Sequence, residues 1–404
     1  MTENRFAGAD FLRATACLVV IGHHLAQRMS WDGPVGWMEW LRVFNNTGGF
    51  GVTLFFILSG FLLAHPFWLA LDRGEPLPSL RTYAIRRAAR ILPGFWLALT
   101  VTLVLTVTLF RIPLTGELIL RYLAGVFLVA DWHWVTFFPV EINGPLWSIG
   151  FEITSYLLLP LGFLALFTLP SAVRSGWRGL LPWLVVIALA IAAHLLFTHF
   201  VRPSPIRRGW DYGLIGGAKL WMPRFNPFAF FATFAVGALA AGLHVHLARY
   251  RGPLFDALAL ATLATILVVF GIQTKGNGTE AFGLFGIPHT FPLLQIVAGL
   301  FLAFAASSLR VGAVLDNPVA RYIARISFGL YVWHYVVLDL FVRFLVPDLD
   351  HGQMEDPMRL LLYGSAIIVV TGIIAHASFY LMEQPIIRWA RNLEQPSRAV
   401  LKPA

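Results

Sequence analysis

The feature that most constrains this chain is a succession of long apolar runs joined by short polar segments. A run of about 18 or more apolar residues reads as a membrane helix, because about 20 residues rising 1.5 Å each span the hydrocarbon. Inside lipid every backbone N–H and C=O must find a partner within the protein, and a continuously apolar run does so as a helix. The predicted helices cover residues 11–29, 49–71, 91–112, 117–130, 146–168, 179–201, 227–248, 254–272, 288–309, 326–346 and 359–382. The expected fold is all-α: a polytopic integral membrane bundle of about ten transmembrane helices, one domain over residues 1–404 with no soluble domain attached. The composition agrees. The chain is 58% hydrophobic and 13% charged, where a soluble domain is about 25% charged. The first apolar run carries Arg13, His23 and His24 and no small-residue cleavage site follows, so a cleavable leader is not expected.

Charge in the connections sets the number of spans. The 117–130 run is the shortest, and it carries Glu117 and Arg121. With it left out of the count, Arg73, Arg81, Arg86, Arg87 and Arg90 fall on the same side as Arg174 and Arg178, Arg249 and Arg251, and Arg310, Arg321 and Arg325. The tail, with Arg388, Arg391, Arg398 and Lys402, joins them. The excess of Lys and Arg in cytoplasmic loops then predicts ten spans, a multi-pass protein of the cell (inner) membrane, and both termini in the cytoplasm. The formal charge of +9 is accounted for in this way, and nucleic acid is not expected as a partner. One segment runs against the rule. Residues 202–226 fall outside yet carry Arg202, Arg207, Arg208, Lys219 and Arg224 among Trp210, Tyr212, Trp221 and Phe225. Lipid headgroups account for such a loop, and so does an anionic or sugar acceptor, since aromatic faces stack on sugar rings.

Ionisable residues within membrane helices are costly and mark function by default. In the first helix Arg13 and His24 are eleven residues apart. At about 100° per residue that is about three full turns, so they share a face, and His23 points about 80° away. The rise between them is about 16 Å. A cation at the membrane edge with an imidazole deeper in suits a long ligand with an anionic head and a reactive end, and acyl-coenzyme A has that shape. A snorkelling arginine and a histidine bonded between helices is the structural alternative.

Six segments in chain order resemble acyltransferase family 3. ADFLRATACLVVIGHH is similar to its opening motif at Asp10, Arg13 and His24. FGVTLFFILSGFLL at 50–63 resembles the second helix, with Thr53 where an Asp is common. YAIRRAARILPGFW at 83–96 matches the basic motif at Arg86, Arg87, Arg90 and Pro93. NGPLWSIGFEITSYLLLP at 143–160 matches at Trp147, Ser148, Glu152 and Tyr156, with Gly150 in place of the usual Ser and Ile153 in place of a frequent second Glu. ISFGLYVWH at 326–334 contributes Tyr331 and His334, and YLMEQPIIRW at 380–389 the closing Glu383.

The resemblance favours cofactor binding for at least one of Arg86, Arg87 and Arg90, whose planar forks suit phosphate; plain topology is the other account of them. Ser148, Glu152 and Tyr156 lie at i, i+4 and i+8 on one helix face. Glu152 must pair, be protonated or line a wet cavity, and beside His24 it would orient the ring. His334 is either a second catalytic histidine or structural, and for Glu383 a salt bridge with a basic loop is the simplest account. His133, His194, His199, His244 and His246 form no metal motif. Cys17 is the only cysteine, which rules out an internal disulfide, and no metal is expected.

What the resemblance implies is transfer of an acyl group, with acetyl favoured, from acyl-coenzyme A to a hydroxyl of a carbohydrate or glycosylated acceptor. His24 would serve as general base or as acyl carrier. A proton-coupled transporter or flippase would also use buried His and Glu. The chain lacks the internal repeat many transporters show, and acyl-coenzyme A binding separates the two readings.

Overall fold

The computed structural model describes residues 6–31, 36–174, 176–274, 280 and 282–394. Arg398, Lys402 and the expected cytoplasmic position of residue 404 lie outside the described residues. Within them the structure is helical, with one isolated bridge between Met29 and Met354 and no strand. The framework is α1 (Ala9–Ala26), α2 (Phe50–Arg73), α3 (Leu80–Thr108), α4 (Gly116–Val126), α5 (Trp147–Thr168), α6 (Leu180–Phe200), α7 (Pro227–Leu247), α8 (Pro253–Thr274), α9 (Leu293–Ser307), α10 (Pro318–Phe344), α11 (Pro357–Ser378) and α12 (Gln384–Asn392).

Among the described residues, eight helices are long and apolar enough to cross a membrane: α2, α3, α5, α6, α7, α8, α10 and the continuous α11–α12. α1, with its charged residues, and the 15-residue α9 pack inside this set, α1 against α2 and α10, α9 against α7 and α8. Together they make the expected all-α polytopic bundle of ten. The short α4 has eleven residues, about 16 Å of helix against a hydrocarbon core of about 30 Å. Its Arg121 is buried: Nε donates to the Phe138 carbonyl at 2.7 Å and the guanidinium pairs with Glu141. The charge that made this run the weakest span pins the 138–141 loop.

Several boundaries differ from expectation: α10 begins at Pro318, not 326, and α11 runs on through α12 to Asn392, past 382. Two other shifts have a local physical reason. α3 begins at Leu80, not 91, capped by the Ser79 hydroxyl accepting from Thr82 N–H at 3.2 Å. Arg86, Arg87 and Arg90 therefore ride on a helix and not in a loop. Hydropathy ends the run at the arginines, whereas a helix carries them inward where a polar recess awaits. α9 starts five residues late because residues 282–292 form a loop in which Phe282, Phe285, His289 and Thr290 adopt positive φ.

The centre of the bundle is the α2–α7 pair. A Cβ on Gly60 would lie 2.0 Å from the Phe234 carbonyl oxygen, and one on Gly237 would lie 2.1 Å from that of Ile57. The two backbones thus touch, as small residues allow between membrane helices. This brings the Phe55–Ser59 turn of α2 against α5.

Candidate active site

One recess, with a volume of about 90 Å³, gathers residues from five helices. Arg13 comes from α1, Ser59 from α2, Arg87 and Arg90 from α3, Ser148, Glu152 and Tyr156 from α5, and Tyr331 from α10. The i, i+4, i+8 spacing places the three α5 residues on one wall, as the sequence predicts. Glu152 accepts hydrogen bonds from the Tyr156 hydroxyl and from Ser59 Oγ, the latter at 3.3 Å. Ser148 Oγ and the Tyr331 hydroxyl are 2.7 Å apart, and Tyr331 donates to the Pro145 carbonyl at 2.9 Å.

The three arginines outnumber the single carboxylate, and none of them forms an ion pair within 4.0 Å among the described residues. Arg87 Nε is buried with no hydrogen-bond partner. A buried donor without an acceptor costs about 1–3 kcal/mol, and an anion in the recess would satisfy it. Arg86, one residue along the same helix, turns the other way. It is exposed and bonds bidentately to Glu394, at 2.9 and 2.6 Å. The structure therefore separates Arg86 from Arg13, Arg87 and Arg90.

His24 occupies a second locus, at the other end of α1. Its ring lies 5.3 Å from that of His334, near parallel at 29°, and 4.9 Å from the Tyr335 ring edge-on. His23 is 5.0 Å away and is held by the Phe44 carbonyl at 3.0 Å. The two loci meet at Tyr331, whose ring lines the recess and lies 5.9 Å from that of His334. Glu152, which would orient the His24 ring if it stood beside it, makes no hydrogen bond to either imidazole among the described residues. Its hydrogen bonds go to Tyr156 and Ser59, and the His24 ring bonds instead to Gln27, Nδ1 to Oε1 at 3.1 Å.

The other expected residues fall around these two loci. Asp10 sits in the first turn of α1, whose terminal Gly8 and Phe11 N–H groups donate to Asp316 at 2.9 and 2.7 Å. Trp147 is buried in an aromatic cluster with Phe137, Phe151, Trp221, Phe225 and Phe230. That cluster ties the basic 202–226 segment, with its short helix Gly213–Trp221, to the start of α5. Glu383 does not bridge to a basic loop. It is buried in a π-helical turn, Phe379–Glu383, with Oε1 accepting from Ser378 Oγ at 3.2 Å and Oε2 unpartnered. No group of three or more His, Cys, Asp or Glu side chains is arranged to hold a metal ion among the described residues.

Two of the three departures from the family pattern, Thr53 and Gly150, have a local account. Thr53 Oγ1 hydrogen-bonds His289 Nδ1 at 2.8 Å. Burial pushes the His289 imidazole down to about 4, against the pull of Glu280. Gly150 makes room for Asp131: a Cβ there would lie 3.0 Å from Asp131 Oδ1. Burial pushes the Asp131 carboxyl up to about 6, in spite of the Thr154 hydroxyl donating to it at 2.8 Å. Sequence reasoning missed Ser59, Gln27 and His289. Gln27 lies three residues after His24 and so on the same face, a signal that was available. His289 is brought to Thr53 by a loop, and nothing local announces it.

The family model described as Acyltransferase domain matches residues 6–376. The "Putative O-acetyltransferase SACOL0978" of Staphylococcus aureus strain COL is 25% identical over 405 residues, covering 94% of this chain and 56% of the relative. O-acetyltransferase OatA of S. aureus strain NCTC 8325 / PS 47 is 24% identical over 395 residues, covering 94% of this chain and 57% of the relative. The chain thus spans a little over half the length of these curated relatives. No solved structure matches it.

Proposed function

The chain belongs to acyltransferase family 3, whose model covers nearly all of it, and from that premise we propose that it is an integral membrane O-acyltransferase moving an acetyl group from acetyl-coenzyme A to a hydroxyl of a carbohydrate acceptor. The observation that carries this reading is the joining of two loci by one side chain. A recess with three arginines and one carboxylate is lined by Tyr331, and the Tyr331 ring lies 5.9 Å from His334, one of a stacked pair of imidazoles. The arginines fit the diphosphate and the 3′-phosphate of the donor, which a guanidinium binds bidentately. The acyl end then extends toward His24, about 16 Å along α1 from Arg13.

In the proposed reaction the His24 imidazole takes the proton of the acceptor hydroxyl. The oxygen attacks the thioester carbonyl, an ester C–O bond forms and the C–S bond breaks. The thiolate leaves and receives the proton back from the imidazolium, so that free coenzyme A and the acetyl ester are the products. The Arg13 end of the bundle faces the cytoplasm, where Arg and Lys accumulate, and the His24 end faces outward. The names of the OatA relatives and the Trp–Arg segment at 202–226, packed on Trp147, support a sugar acceptor on that outer side.

The test is to supply acetyl-labelled acetyl-coenzyme A to membranes containing the protein and to fractionate what becomes labelled. Label in a glycan or glycolipid fraction is expected. A protein that binds acetyl-coenzyme A but labels nothing, or one that carries it or a proton across vesicles without transfer, overturns the reading.

A further inference from the structure

We propose that Gln27 is the positioning residue of His24: its side-chain carbonyl holds the imidazole in the Nδ1–H tautomer and leaves Nε2 as the atom that accepts the proton. The proposal rests on His24 being the base of the reaction proposed above.

A base needs one defined nitrogen facing the substrate, and the other nitrogen decides which. His24 Nδ1 lies 3.1 Å from Gln27 Oε1. With the Gln27 amide turned so that its oxygen, which can only accept, faces the ring, Nδ1 carries the proton. Nε2 carries no hydrogen bond among the described residues and is not among the buried unpartnered atoms, so it opens on accessible space. The neighbouring ring is fixed in the same way by an acceptor that cannot be anything else. His334 Nδ1 donates to the Tyr331 carbonyl at 2.7 Å, and its Nε2 is buried and unpartnered. Two stacked imidazoles thus share one tautomer, each with a bare Nε2.

The usual partner for such a histidine is a carboxylate, and each carboxylate nearby is engaged elsewhere. Glu152 is held by Tyr156 and Ser59. Asp339 is bonded by Arg28 at 3.2 Å, and Asp350 lies 3.6 Å from the same guanidinium. The groups that do face His24 are His23 of its own helix, Arg28 just past the end of that helix, and His334 and Tyr335 of α10. A neutral amide fits this setting, since it orients the ring without adding a fixed charge.

The backbone of Gln27 is clamped as an orienting residue requires. Its N–H donates to the His23 carbonyl at 2.9 Å and its carbonyl accepts from Gly352 N–H at 3.0 Å. The same loop pairs with Arg28 and Ser30, where Met354 N–H donates to the Arg28 carbonyl at 2.9 Å and Ser30 N–H to the Met354 carbonyl at 2.8 Å. A clasp from the α10–α11 connection therefore fixes the residue that fixes the imidazole.

The test uses the purified full chain in detergent, with ¹⁵N-labelled histidine. The His24 signals are assigned by difference from His24→Ala. In the parent protein they are expected to report a single Nδ1–H tautomer, and in Gln27→Leu a mixture of tautomers. Turnover of Gln27→Leu should fall about tenfold to a hundredfold, at or below the lower end of the about hundredfold to ten-thousandfold that a general base contributes, because the base is misoriented and not removed, while the Kd for acetyl-coenzyme A stays within about twofold. Gln27→Glu, which keeps an acceptor oxygen, should restore the single tautomer. An Nε2–H tautomer in the parent, or an unchanged tautomer in Gln27→Leu, overturns the proposal. Should His24→Ala retain full turnover, it is the assignment of the base that fails; should His24→Ala be inactive and Gln27→Leu fully active, only the role of Gln27 fails.

Discussion

Arg86→Ala and Arg87→Ala each remove one positive charge from the same turn of α3, yet the structure predicts opposite consequences for donor binding. Arg87 lines the recess with Nε buried and unpartnered. A hydrogen bond to a charged group contributes about 1.5–3 kcal/mol. Its loss against a phosphate oxygen should weaken acetyl-coenzyme A binding about tenfold to a hundredfold. Arg86 is exposed and paired with Glu394. Such surface pairs are worth about 0–1 kcal/mol to stability, and the side chain does not reach the recess, so Arg86→Ala should change Kd by less than about threefold. Arg87→Lys should fall between, because an ammonium keeps the charge and loses the planar fork. Titration of detergent-purified variants with labelled acetyl-coenzyme A reads all three. Membrane insertion is checked in parallel, since a purely topological role for these arginines predicts equal behaviour. Equal losses for Arg86→Ala and Arg87→Ala would refute the reasoning.

Three further outcomes follow from other parts of the molecule. Gly60→Val must push a side chain into the Phe234 carbonyl, 2.0 Å from the Cβ position, so the variant should lose the α2–α7 contact and unfold at a clearly lower temperature in a detergent melt. Asp131 has its folded pKa raised to about 6 from 3.8, so its burial favours the folded state below the unfolded value, and this contribution is lost as pH rises through about 6. Asp131→Asn should therefore raise the melting temperature more at pH 8 than at pH 5, and equal gains at the two would contradict the assignment. Arg121→Ala leaves Glu141 unpaired and frees the Phe138 carbonyl; limited proteolysis should then cut within 133–143, and an unchanged pattern would count against that anchor.

Much of the bundle is legible in the sequence because lipid leaves a chain few options. Ten of the eleven apolar runs correspond to the ten bundle helices, and the run at 117–130 is the one that comes out short. Hydropathy failed at residues 80–90 because it scores the arginines as a boundary, whereas helical spacing aims Arg87 and Arg90 inward and Arg86 outward. The Ser148–Glu152–Tyr156 wall follows from one helix face alone, and so does Arg13 in register with His24. What faces them from other helices does not follow. The choice of Gln27 over Glu152 for the His24 ring, the stacking of His334 and the inward turn of Glu383 depend on how helices meet, and a single sequence carries no pairing information. Thr53 and Gly150 looked like departures from a motif; each turns out to accommodate a specific neighbour, His289 and Asp131.

The most direct test of the account is acetyl transfer measured side by side in His23→Ala and His24→Ala, with expression and folding matched to the parent. The two residues are adjacent, but His23 is tied to the Phe44 carbonyl while His24 faces His334 with Nε2 open. The account predicts that label from acetyl-coenzyme A reaches the acceptor in the parent and, to a large fraction, in His23→Ala, and that transfer is lost in His24→Ala while donor binding persists. Transfer by His24→Ala at the parental rate, or loss confined to His23→Ala, would contradict it.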